Sequence, residues 1–74
     1  MSLELILSLI KIGAEIFQDE RKDRFLKSYL KIQKEYQNEL NKGLDDRSDL
    51  KLDKLRFEAI QLAELVVRER NSGK

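Results

Sequence analysis

Over its first seventeen positions the chain is apolar almost everywhere except along one line. Leu3, Leu5, Ile6, Leu7, Leu9, Ile10, Ile12, Ala14, Ile16 and Phe17 surround only three charges, Glu4, Lys11 and Glu15. The polar positions Glu4, Ser8, Lys11, Glu15, Gln18 and Lys22 fall alternately four and three residues apart, a single narrow stripe on an α-helix. An ordinary surface helix is apolar over roughly a third of its circumference, so burial on several sides is expected here. Gly13 is the one weak helix former inside the segment, tolerable at a cost of about 1 kcal/mol relative to alanine.

Residues 18–24, QDERKDR, carry no apolar side chain, but they also lack Gly and Pro. Glu20 with Arg24 and Asp23 with Lys27 are acid-before-base pairs at i,i+4, the order that supports a helix. This predicts one helix over residues 2–42, about 60 Å long at 1.5 Å per residue and too long for a compact monomer. Its second half places Phe25, Leu26, Tyr29, Leu30, Ile32, Tyr36 and Leu40 at helical spacing. The halves do not share a face: continuing the polar stripe of the first by threes and fours lands on Phe25, Tyr29, Ile32 and Tyr36. Either the two halves meet different neighbours, or the helix bends within 18–24.

Asn41, Lys42 and Gly43 form a stop signal, with glycine suited to a left-handed position and Leu44 able to fold back on the last turn. Asp45, Asp46, Ser48 and Asp49 offer caps for a second helix over 49–70, after a turn at 43–48. So short a link returns the chain antiparallel, as an αα-hairpin. The second helix has a coiled-coil-like seam at Leu52, Leu55, Ala59, Leu62 and Val66, flanked by Phe57, Ile60, Ala63, Leu65 and Val67. Residues 71–74, NSGK, read as a frayed tail. The expected architecture is therefore all-α: a single domain over 1–70, with a long N-terminal helix and a second helix forming a hairpin that packs as an oligomeric helix bundle.

Size strengthens the oligomer expectation. A chain of 74 residues buries only about 60% of its unfolded surface and can hardly cover so aliphatic a start with its own remainder. Leu5, Ile6, Leu9, Ile10, Ile12, Ile16 and Phe17, with Leu55, Leu62 and Val66 of the seam, are the expected interface to a second copy, as a dimer or higher oligomer, or to a protein partner. An interfacial membrane helix is the alternative, although Glu4 and Glu15 outnumber Lys11 where such a helix carries cations. A spanning helix needs about 20 mainly apolar residues, and a secretory signal needs a basic start, so neither is expected and a cytoplasmic location is.

The composition removes most chemistry. There is no cysteine, histidine or proline, and glycines stand only at 13, 43 and 73, which leaves no disulfide, no imidazole or thiolate metal site and no phosphate loop. The carboxylate pairs Glu15 with Asp19 and Asp49 with Asp53 are the kind that charged helices expose to water, and the acids from Asp45 to Asp53 lack the glycine and glutamate of a calcium loop. No enzyme, cofactor or metal is expected.

Fifteen basic and fourteen acidic residues give a net charge of +1, so any polyanion binding needs a local patch. The candidate is Arg24, Lys27, Lys31 and Lys34, with Tyr29 or Tyr36 near its edge to stack a base and Glu20, Asp23, Glu35 and Glu39 diluting its field. A dimerising hairpin with a charged helix face resembles, in architecture alone, the Rop family of plasmid copy-number proteins, which implies binding to paired RNA loops or other nucleic acid. The leading expectation is a small noncatalytic helical interaction protein that self-associates and binds another macromolecule. Chains of this kind are frequent among phage and mobile-element accessory or regulatory proteins, a matter of frequency and of no particular residue.

Overall fold

What the sequence reads as one helix is broken after Glu15, and Asp19 starts the next. In the computed structural model, which describes residues 2–43 and 45–72, α1 spans Leu3–Glu15, α2 Glu20–Leu40 and α3 Asp49–Ser72. The described residues thus form an all-helical fold of three helices rather than the two expected. The last turn of α1 tightens as the Phe17 N–H donates to the Ala14 carbonyl at 3.2 Å. Asp19 then takes an extended backbone, and its carboxylate accepts from the Arg21 N–H at 2.9 Å, the bond that opens α2. The ion pair with Arg21 holds the Asp19 carboxyl below its usual range.

The break resolves the mismatch of phase between the two halves. With the chain redirected at Ile16–Asp19, Leu3, Ile6, Leu7, Ile10, Ala14 and Phe17 of the first half and Phe25, Tyr29 and Ile32 of the second enter one core with Leu55, Ala59 and Val66 of α3. Each helix packs against both others, and the Cα envelope measures 47 × 18 × 14 Å, shorter than a continuous 2–42 helix. Leu30, expected inside, is 57% exposed, and Leu26, Tyr36 and Leu62 are partly buried against the core.

Contacts at both ends fix how α2 and α3 meet. Arg21 and Arg24, early in α2, stand 3.9 and 3.5 Å from the Glu69 carboxylate late in α3. The same arginines lie over Phe17 and Phe25, whose centroids are 5.4 Å apart, so cations roof the aromatic pair. At the opposite end Glu39, fully shielded from solvent, accepts the Ser48 N–H at 2.7 Å. Its second oxygen faces Lys42 Nζ at 3.1 Å and Lys51 Nζ at 3.7 Å. The Ser48 N–H first, and then the Lys42 ammonium, hold the Glu39 carboxyl below the ordinary glutamate range despite the opposing effect of burial.

The connection departs from the expected glycine stop. No described glycine has a positive φ; Asn41 ends α2 in right-handed geometry, and the Arg47 guanidinium caps the helix by donating to the Leu40 carbonyl at 2.9 Å. Asp46 and Arg47 N–H groups both bond to the Gly43 carbonyl, while the Ser48 hydroxyl accepts from the Lys51 N–H to open α3. The expected fold-back of Leu44 lies outside the described residues. Helix α3 continues through Asn71 and Ser72, two residues into the expected tail; positions 73 and 74 are also outside the described residues.

Candidate interaction surface

The residues expected to form an intermolecular face divide into two groups. Ile6, Ile10, Phe17, Leu55 and Val66 are buried in this chain's own core, and Leu62 packs at its margin. Within the single chain the three helices cover that part of the expected face themselves, so these residues need no second molecule to leave water. Leu5, Leu9, Ile12 and Ile16 remain outside, 50%, 50%, 61% and 49% exposed. They succeed one another four, three and four residues apart, so α1 presents an aliphatic line distinct from both its buried line and its polar line.

Two contacts locate that line. An added Cβ at Gly13 would stand 2.9 Å from Val66 Cγ1, so the α1 backbone closes tightly onto α3 there. On the other side of α1, the Tyr36 hydroxyl donates to Glu4 at 3.4 Å, which turns the polar line toward α2. Burial foremost, and then the negative charge of Glu4, push the Tyr36 hydroxyl pKa up. The exposed aliphatic line therefore runs along the α3 side of α1.

On α3, Ile60, Ala63, Val67 and Arg70 follow one flank at steps of three and four, and Arg70 lines the same depression as Ile16 and Phe17. Ile60 and Val67, 39% and 56% exposed, extend the α1 line into a broader patch. The interface residues expected from sequence omit both. The signal was present in the width of the apolar surface on α3, which exceeds its seam.

The basic candidates are dispersed by acids. Arg24 turns to Glu69 and lies over Phe25. Lys31 lines a groove between α2 and α3 that holds as many carboxylates, Glu35, Asp53 and Glu58, as cations, Lys31, Lys51 and Lys54, around the apolar Leu50, Leu55 and Phe57. Lys27 and Lys34 are exposed on α2. Tyr29 is buried, hence unavailable for stacking a base, and Tyr36 is largely covered.

No group of three or more acidic side chains is placed to hold a metal ion among the described residues, and no described helix is long and apolar enough to cross a membrane. No family model matches this chain, and neither a curated protein nor a solved structure matches it.

Proposed function

We propose that this chain is a small noncatalytic helical interaction protein, an antiparallel α2–α3 hairpin carrying α1 against it, that self-associates and binds another macromolecule. The observation behind this reading is the line Leu5, Leu9, Ile12 and Ile16, about half exposed on a helix whose other apolar line already serves the core. Aliphatic side chains aligned in this way gain by leaving water, and a partner surface is what removes them from it. A Rop-like polyanion reading draws on Arg24, Lys27, Lys31 and Lys34, but the pairing of Arg24 with Glu69 weakens it. An interfacial membrane reading uses the same aliphatic line and is opposed by Glu4 and Glu15 on the polar side of α1.

The test is crosslinking and affinity capture from the native host, comparing the wild-type chain with Leu9→Glu/Ile12→Glu. Both positions are exposed, so the variant is expected to keep its helical circular dichroism and lose whatever association the line supports, with a second copy or with a host macromolecule. Identical capture by both chains would remove the aliphatic line from the function. Flotation with neutral and anionic vesicles, and a gel shift with RNA and DNA at two salt concentrations, separate the membrane and nucleic-acid readings.

A further inference from the structure

We infer that the patch on α1 and α3 takes a second copy of this chain, related by a two-fold axis parallel to the helices, so that α1 of each copy lies along α3 of the other. The inference rests on the interaction reading above and names the occupant of its surface. Area is the first argument. Leu5, Leu9, Ile12, Ile16, Ile60 and Val67 present on the order of 500 Å² of side-chain surface. That is about a tenth of the chain's 5573 Å² and the greater part of the ~800 Å² per partner that a stable interface uses. A two-fold symmetric dimer buries one patch against its own copy, so both are covered at once.

Charge selects the orientation. Within the chain α1 and α3 run the same way: Gly13 meets Val66, the end of α1 reaches Glu69 and Arg70, and Glu4 and Arg56 both lie near Tyr36. A two-fold axis parallel to the helices preserves height. Gly13 being level with Val66, Glu15 comes level with Arg68 of the second copy, and Lys11 with its Glu64, opposite in sign in both cases. Glu64 and Arg68 line one depression with Ala63 and Val67 of the patch, and Lys11 and Glu15 belong to the polar line that runs beside the aliphatic one on α1; all four are exposed, and none has an ion-pair partner within its own chain among the described residues. An axis perpendicular to the helices would instead lay α1 antiparallel on α1 and bring Glu15 beside Glu4 of the other copy, a like-charge contact.

Sedimentation equilibrium of the full chain at low salt, from micromolar to hundreds of micromolar, tests this. The expected mass is twice that of the 8.8 kDa monomer, falling to one monomer in Leu9→Glu/Ile12→Glu. Glu15→Lys alone and Arg68→Glu alone should each weaken the dimer about tenfold, since symmetry breaks two contacts per substitution. The combination E15K/R68E should return to within a few-fold of wild type, because the pair is re-formed with its signs exchanged. A wild-type monomer throughout the range, a dimer indifferent to Leu9→Glu/Ile12→Glu, or a double variant no tighter than either single one overturns the arrangement. All these positions are exposed, and circular dichroism on the same samples separates loss of association from loss of fold. Failure here leaves the host-capture comparison standing as the separate test of the interaction reading.

Discussion

Gly13 and Val66 touch where α1 crosses α3, and a methyl group at position 13 would stand 2.9 Å from Val66 Cγ1. Val66 is only 2% exposed, so it has little room to yield. Glycine in mid-helix ordinarily costs about 1 kcal/mol relative to alanine, and here that cost offsets the overlap its replacement would introduce.

Gly13→Ala should therefore bring no gain in stability, and Gly13→Val should destabilise by about 1–3 kcal/mol. Val66→Ala opens the space, at a cost of about 1–2 kcal/mol. In that background Gly13→Ala should recover up to about 1 kcal/mol of helix propensity. Urea melts of the four chains read this cycle; a Gly13→Ala gain that is equal in both backgrounds would show that the crossing imposes no constraint.

Neighbouring isoleucines in α1 should behave oppositely. Ile10 is 1% exposed and Ile12 61%, so Ile10→Ala should lose about 2–5 kcal/mol while Ile12→Ala stays within about 0.5 kcal/mol. The comparison requires protein concentrations below the onset of association, because a dimer adds its own binding free energy to the melt. Similar losses at both positions would mean that Ile12 is buried in the melting species.

The two apolar lines of α1 were only partly separable from sequence. Leu3, Leu5, Ile6, Leu7, Leu9, Ile10 and Ile12 give a surface apolar nearly all round, which identifies a helix with several contacts but not which line meets its own chain. The phase change between Glu4–Lys22 and Phe25–Tyr36 marked the region where the chain must turn. What favoured a straight helix was the local pairing of Glu20 with Arg24 and Asp23 with Lys27, worth only tenths of a kcal/mol each. Sharing one core among Ile10, Phe25 and Val66 outweighs that, and Asp19 caps the resulting end. The seam from Leu52 to Val66 was legible because it alternates three and four without interruption. Glu39 was not: nothing in its spacing distinguishes it from Glu35, and its role depends on a link that brings Ser48 back to it.

Acid should loosen the Glu39 end of the molecule. Its carboxyl titrates below the ordinary value of 4.5, so between the two values the folded chain holds fewer protons than the unfolded one. The stability it contributes is complete above the unfolded value and is lost as pH falls through the folded one. Thermal melts from about pH 6 to pH 3 should show wild-type Tm falling more steeply than that of Glu39→Gln, which keeps an acceptor for Ser48 but does not titrate. Asp19, held down by Arg21, leaves a residual slope in both chains. Parallel curves would mean that Glu39 does not contribute to acid unfolding.

The roof over Phe17 and Phe25 bears on how any of these stabilities is measured. Two guanidinium groups from the protein cover that aromatic pair, Arg24 drawn to the carboxylate of Glu69 and Arg21 to that of Asp19 with Glu69 beyond it. Guanidinium chloride is a soluble copy of those groups: its cation competes for the same ring faces and the same carboxylates, and its ionic strength screens the attraction. Urea, being neutral, does neither. The two denaturants therefore do not probe this end of the bundle equally, and substitutions at Arg21, Arg24 or Glu69 register more fully in urea, while guanidinium chloride dissolves their effect before the helices part.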